Sequence, residues 1–414
     1  MTVTADKLQA MQAALQYPAN QCYDPVTIEP TGAVTTARIR FMENHLPELM
    51  EGGDSLLDVG SNKGFVALRL RDRYKEIEGY EMGRDAFNVA KATASLHGLE
   101  HVKFINKPFR WINLGRHSRK YSVVYAGSVH HHFFKDALLH GAPPFLGLKK
   151  LAALTEQHLI LDGPLTFEGD CSLNTWADRH GWGPDVRALY NLQAHVDALA
   201  PQFRLKHGPH DNERKRQAVV FERVEPDIPY VEMSEADVDA LKVKGKSIPA
   251  NRARAKDSVI RVGDVRYKFD KSTRSDGVMM MLNSLPDWFM HTQAVISRDG
   301  RRIGDIAEWV EGRPVRTLGE LGNHWLKLNN MMSCVGLVEI HLKVLDYVER
   351  DGKMIDIDID MLDAVGNIST AVGYLKKWRV AAARAFGKQT ADYLADNLGD
   401  EWVFANVLQG KVPG

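Results

Sequence analysis

The chain has 414 residues, 44% hydrophobic and 26% charged, with 53 Lys and Arg against 53 Asp and Glu. That length suggests two domains, and the balance excludes wholesale disorder and gives no global electrostatic case for DNA, RNA or acidic lipid as partner. The three dispersed cysteines, Cys22, Cys171 and Cys334, form neither a disulfide framework nor a CxxC metal pattern. No apolar run reaches membrane-spanning length, and MTVTADKLQA lacks the basic start and apolar core of a signal peptide. The simple expectation is a cytoplasmic protein without membrane insertion.

Residues 1–50 read as a helical segment interrupted by Pro18, Pro25 and Pro30, ending in TTARIRFMENHL with Thr35 or Thr36 as a helix cap. From residue 51 strands alternate with helices. SLLDV, EIEGYE, HVKFIN, YSVVYAG and HLILDG read as strands, with FVALRLRDRY, RDAFNVAKATASLHG and a region through LKKLAALTEQ as helices. Such alternation predicts βαβ units and a parallel sheet. PQFRLKHG and RQAVVFERV then follow without room for a helix, which predicts a final antiparallel hairpin closing this domain near 225.

Residues 226–242 read as a linker and a short helix capped by Ser234. Residues 243–414 read as an accessory α+β domain. It holds a basic loop, hairpins turning at Gly263-Asp264 and Asp299-Gly300, helices over 319–347 and 361–397, and a strand in GKMIDIDID. GVMMMLNSLPDWFM fits either core or a lining for an apolar ligand, core being the commoner case.

The chemistry concentrates at LLDVGSNKGF. After the strand, Gly60 and Gly64 let a ligand approach the backbone at the mouth of a helix, with Ser61 and Asn62 in the turn and Asp58 just before it. A second strand ends at Glu81, placed to accept both hydroxyls of a ribose. A tight strand–helix turn with no ligand is the plain alternative. A dehydrogenase would prefer Gly-x-Gly-x-x-Gly, which SNKG does not supply.

LLDVGSNKGF resembles motif I of the class I S-adenosylmethionine-dependent methyltransferases, and EIEGYE and YSVVYAGSVHHHFF resemble later motifs of that family over residues 50 to 225. The resemblance implies a Rossmann-like sheet with a terminal antiparallel hairpin and S-adenosylmethionine as cofactor. It implies that Asp58 lies near the methionine amino group, Glu81 holds the ribose and Met82 flanks the adenine. FINKPF stands where the family often has an acidic residue near the adenine amine, so Asn106 would serve there through its amide. Lys63, beside a cationic sulfonium, is expected to face solvent or a carboxylate. The SNxG form also resembles the methyltransferases that modify RNA 5′ phosphates.

Three histidines follow the fourth strand, where sheet ligands sit. Methyl transfer to oxygen or nitrogen can need a proton removed, which suits a histidine. His131, then His130, are the candidate catalytic residues; strand capping is the alternative. Glu168, Asp170, Trp176 and His207 are candidate substrate contacts, and a metal site built from these groups is the less favoured alternative. Basic and aromatic interleaving in KPFRWINLGRHSRKY leaves nucleic acid open as a partner without favouring it over a solvated surface.

The C-terminal region has a faint resemblance to kinase-like folds. It implies that Lys268 contacts ATP phosphates, IAEWVEG is a hinge strand and Asp356 or Asp358 holds magnesium. No Gly-rich loop precedes Lys268, and HLKVLD lacks the catalytic aspartate. The expectation is therefore a methyltransferase acting on oxygen or nitrogen of a small metabolite, saccharide or natural-product intermediate. A bifunctional enzyme, an RNA-end methyltransferase and a non-enzymatic binding scaffold stand as alternatives, with the C-terminal region also open to self-association.

Overall fold

The computed structural model describes residues 21–364, apart from 113, 115–118, 168–170, 212–216, 248–258, 270–274, 315–323, 325–326, 329–330, 333, 340–346 and 357–361. The chain divides into two compact units. The first takes in Met1–Ile112, Arg119–Asp136 and Gly147–Glu225; the second takes in Asn113–Ser118, Ala137–Leu146 and Pro226–Gly414.

The first unit is built on a seven-stranded sheet in the order β3-β2-β1-β4-β5-β7-β6. Its strands are β1 (Gly53–Val59), β2 (Tyr74–Tyr80), β3 (Val102–Ile105), β4 (Tyr121–Gly127), β5 (Thr155–Gly163), β6 (Phe203–Asp211) and β7 (Gln217–Arg223). The first five run parallel, and β7 lies antiparallel to both β5 and β6. This is the Rossmann-like class I methyltransferase sheet with its terminal hairpin. Strand β4 is buried along its whole length, as parallel strands covered on both faces must be. Leu56, Ile77, Val123 and Ile160 form the core on one face with Phe65, Leu68 and Tyr23.

The N-terminal segment departs from its expected form in one respect. Residues 21–32 carry no helix, and α1 spans Ala33–His45, with α2 at Pro47–Met50. Neither threonine caps α1: Thr35 Oγ1 accepts from the Cys22 amide at 2.8 Å, and the Thr36 hydroxyl donates to the Gly32 carbonyl. Thr35 lies inside the first turn, so its hydroxyl ties the helix to the preceding chain instead. Ile39 and Met42 are the buried apolar contacts of α1.

Further helices are α3 (Phe65–Arg69), α4 (Arg84–Leu96), α5 (His130–Leu139), α6 (Leu146–Leu154), α7 (Cys171–His180), α8 (Pro184–Ala188) and α9 (Leu192–Leu199). The expected helix over FVALRLRDRY is only α3. The chain must turn back to start β2 at Tyr74, and the Arg71 side chain closes the end of α3 by donating to the Leu68 carbonyl.

The second unit carries a six-stranded sheet in the order β8-β12-β13-β11-β10-β9. These strands are β8 (Tyr230–Glu232), β9 (Lys246–Ser247), β10 (Val259–Val262), β11 (Val265–Lys268), β12 (Thr292–Arg298) and β13 (Arg301–Glu308). Both expected hairpins form, turning at 263–264 and 299–300. Helix α10 (Glu235–Lys244) starts from a Ser234–Asp237 capping box. Helix α11 (Asp276–Asn283) buries Val278, Met279, Met280, Met281 and Leu282, so the methionine run is core.

Strand β14 (Arg313–Pro314) pairs with β16 (Tyr347–Arg350), which pairs with β17 (Lys353–Asp356); β15 (Leu337–Glu339) pairs with β18 (Leu362–Ala364). Strands at 337–339 and 362–364 stand inside two stretches whose apolar spacing predicts helix. There the cross-strand pairing of Leu337 with Ala364 and Glu339 with Leu362 overrides local periodicity. The rest of 361–397 lies outside the described residues. No described helix is long and apolar enough to cross a membrane.

Candidate active site

The turn between β1 and α3 is built almost wholly from backbone. Gly60, Asn62 and Gly64 all take positive φ, at 75°, 53° and 80°. A Cβ on Gly60 would collide with Val129, and one on Gly64 would lie 2.6 Å from the Phe104 ring. Glycine is therefore required at both places, first by conformation and then by space. The amides of Gly60 and Ser61 both donate to the Tyr80 carbonyl at the end of β2.

Two outside groups fix the rest of the turn. Tyr23, fully buried, donates its hydroxyl to the Lys63 carbonyl at 2.6 Å, while Gln21 Oε1 accepts from the Phe65 amide at the start of α3. Lys63 is half-buried, and its backbone serves the turn as expected. Glu81 lies just past β2. Its Oε2 accepts from the Asn62 amide at 2.9 Å and its Oε1 from the Gly83 amide at 2.6 Å. A carboxylate has about four acceptor sites, so two remain for a diol. Asn106 uses its amide nitrogen on the Glu81 and Met82 carbonyls, which fixes the loop carrying both residues. Met82 stands 76% exposed beside it, an apolar side chain left open at the strand ends.

Asp58, near the end of β1, is 2% exposed, and its Oδ2 has no hydrogen-bond partner among the described residues. Burial pushes its carboxyl up to about 7. Arg38 opposes that rise, Glu81 adds to it, and a bond from the Ala67 amide opposes it again. A buried carboxylate oxygen left unpaired is costly, and a cationic ligand group would satisfy it. Two glycines admitting a backbone cradle, an orphaned anion and a half-free carboxylate one strand away fit the amino-acid and ribose ends of S-adenosylmethionine.

Sequence reasoning missed a second cluster at these strand ends. Arg38 Nη2, from α1, donates to the Tyr125 hydroxyl at 2.6 Å and to Asp162 Oδ2 at 3.1 Å, and the Tyr125 hydroxyl donates to the same Asp162 oxygen at 2.6 Å. Burial drives the Tyr125 pKa well above its usual value, so the hydroxyl stays protonated. The one signal in the sequence was Asp162 itself, an acid closing an apolar strand.

The histidines sit at the start of α5. His130 and His131 are buried and His132 is half-buried. His130 Nε2 meets the Pro164 carbonyl at 2.9 Å, so it must donate and Nδ1 must carry the lone pair. The Tyr190 hydroxyl donates to the same carbonyl. Burial, with the neighbouring His195 and His131, holds His130 well below the usual histidine range, and burial holds His195 near 4. The His131 ring stacks on Trp176 of α7 at 5.7 Å between centroids, and the Lys135 ammonium lies 4.4 Å from the Trp176 ring centre. The structure thus brings Trp176 to His131 and His132.

Glu168 and Asp170 lie outside the described residues. His207 is placed elsewhere: on edge strand β6 it contacts Glu48 at 2.9 Å and His210 at 3.1 Å. Among the described residues no group of three or more His, Cys, Asp or Glu is arranged to hold a metal ion. In the second unit Lys268 is buried on β11 opposite Asp305 of β13, whose Oδ1 is buried without a hydrogen-bond partner among the described residues. Asp356 ends β17, and Asp358 and all of HLKVLD lie outside the described residues.

No protein-family model matches the sequence, and no curated protein matches it. Solved structures do resemble the fold. Magnesium protoporphyrin IX methyltransferase from Synechocystis PCC 6803 with bound SAM aligns at 12% identity and TM-score 0.35, over 54% of this chain and 100% of its own. The N-methyltransferase NodS from Bradyrhizobium japonicum WM9 aligns at 12% and 0.32, over 45% and 97%. WbdD aligns at 12% and 0.36, over 97% and 100%. None of these values transfers an activity; the reading of the site rests on its own residues.

Proposed function

We propose that the chain is an S-adenosylmethionine-dependent methyltransferase acting on an oxygen or nitrogen nucleophile of a small metabolite, saccharide or natural-product intermediate. The observation that carries this reading is the orphaned carboxylate oxygen of Asp58 beside the Gly60–Gly64 cradle, with Glu81 holding the turn from the next strand. The cofactor, when bound, supplies a methyl group on a positively charged sulfur. Asp58 takes the ammonium of its amino-acid end, Glu81 takes the ribose hydroxyls, and Met82 and Asn106 border the adenine.

The chain's remaining task is to place an acceptor and to receive a proton, and positioning can supply much of the rate. His131 is the candidate base, with its ring stacked against Trp176. His130 is the poorer base, since burial and its histidine neighbours hold it well below the usual histidine range. Its ring instead packs over Gly163, where a Cβ would lie 2.8 Å from Cε1.

Calorimetry on the intact protein tests the cofactor assignment. S-adenosylhomocysteine should bind, and Glu81→Ala should weaken it by about tenfold or more, the scale of charge-assisted hydrogen bonds lost. Absence of binding by well-folded protein sinks the assignment. Labelled cofactor incubated with metabolite and RNA pools then reads the acceptor; a signal destroyed by ribonuclease would replace the small-molecule reading.

A second reading, phosphoryl transfer in the second unit, draws support from buried Lys268 facing Asp305 in the sheet. It predicts magnesium-dependent ATP binding that Lys268→Met removes. Equal ATP binding by parent and variant, or none by the parent, ends it.

A further inference from the structure

The strand ends that present Asp58 also present a cation that the turn motif does not contain. Arg38 comes from the middle of α1, far from the motif in sequence, and its guanidinium reaches the ends of β4 and β5. The chain has made room for it: a Cβ on Gly127 would lie 2.6 Å from Nη2. Tyr125 and Asp162 both engage Nη2, and Nε has no partner among the described residues although it is buried. The side chain as a whole keeps 20% of its surface exposed, so it is not wholly enclosed.

An unpaired buried N–H is unfavourable, and a guanidinium fork is best satisfied by a carboxylate. The same guanidinium acts electrostatically on Asp58. An amino-acid end carries its ammonium and carboxylate on one carbon. Its receptor must therefore set an anion and a cation close together; Asp58 on β1 is the register partner of Tyr125 on β4, and Arg38 donates to the Tyr125 hydroxyl.

We propose that Arg38 is the receptor for the carboxylate of the cofactor's amino-acid end, with Tyr125 and Asp162 holding its guanidinium in place. This rests on the S-adenosylmethionine reading above. It makes α1 a wall of the cofactor site, and it assigns the two missed strand-end residues as positioning groups.

The test is calorimetry on the intact protein with three probes: S-adenosylhomocysteine, decarboxylated S-adenosylmethionine and 5′-methylthioadenosine. Only the first carries the carboxylate. Arg38→Met should weaken S-adenosylhomocysteine by about 30-fold or more, the scale for truncating one partner of a buried charge pair. The other two probes should change by less than about threefold, since neither carries the group Arg38 receives. Arg38→Lys keeps the charge without the fork and should lose about tenfold for S-adenosylhomocysteine alone. It serves as the measurement if Arg38→Met does not fold. Unchanged affinity for S-adenosylhomocysteine in a folded variant overturns the proposal, as does an equal loss for all three probes. A parent protein that binds none of the probes overturns the cofactor reading itself, and Arg38's role with it.

Discussion

Asp58 and Asp162 make an instructive pair. Both are about 2% exposed, both stand near the ends of parallel strands, and the two strands are separated only by β4. Asp162 is provided for: Arg38 and Tyr125 both donate to its Oδ2. Asp58 keeps one oxygen with no donor among the described residues, and its carboxyl is pushed up to about 7. A buried acid with its donors present holds the fold and aims a neighbour. A buried acid lacking one is poised for a ligand that brings the donor.

That contrast can be broken by substitution. The largest effect belongs to Asp58→Asn, which should cost about 100-fold or more in S-adenosylhomocysteine affinity, because the ammonium loses its buried partner. The same variant should not lose stability above pH 7. The native carboxyl binds its proton more tightly than the unfolded one, whose value is 3.8. Ionisation therefore favours the unfolded chain, and stability falls as pH rises from about 4 to about 7. The asparagine variant lacks that fall, so its Tm at pH 8 should exceed the parent's. A lower Tm at pH 8 would mean that Asp58 is structural after all.

Asp162→Ala should behave in the opposite way. Removing one partner of a buried ion pair costs roughly 3–5 kcal/mol, so thermal unfolding should shift down at every pH from 6 to 8. Equal stability of parent and variant would remove the distinction between the two acids. A smaller effect follows from the Asp58 carboxyl alone. A ligand ammonium binds the ionised form, so affinity should be full above about pH 7 and fall by up to about tenfold per unit below it. In Asp58→Asn the pH dependence should vanish. A profile that persists there assigns the titration to another group.

The smallest effect concerns the edge of the sheet. His45 stacks on His210 at 4.9 Å between centroids, His210 meets His207, and His207 and Lys206 both engage Glu48. Burial and the neighbouring His45 and His207 lower the His210 pKa. Its unfolded form therefore takes a proton first, and stability is lost as pH falls below about 6.5. His210→Phe should flatten the Tm profile between pH 7 and 5.5 by a few degrees. An unchanged slope would show that the cluster is too solvated to matter.

Much of the first unit was legible in the sequence. The apolar strands SLLDV and YSVVYAG, the glycines at 60 and 64 and the acid at 81 announce themselves, because a buried parallel strand and a positive-φ turn each restrict residue type locally. Trp176 was a weaker inference, and its stacking on His131 depends on where α7 falls. His207 shared the histidine signal, yet the register of β6 directs it to Glu48. The strands at 337–339 and 362–364 escaped because pairing between distant segments outweighs a short helical pattern.

The sequence alone determined the cradle, since conformation and the absence of a Cβ are properties of single residues and their neighbours. Only the tertiary structure decided which buried acid has a partner. Arg38 meets Asp162 across 124 positions of chain, and no local pattern specifies a hydrogen bond of that range. The packing of α1 on the sheet makes it, leaving Asp58 as the acid with an oxygen to spare.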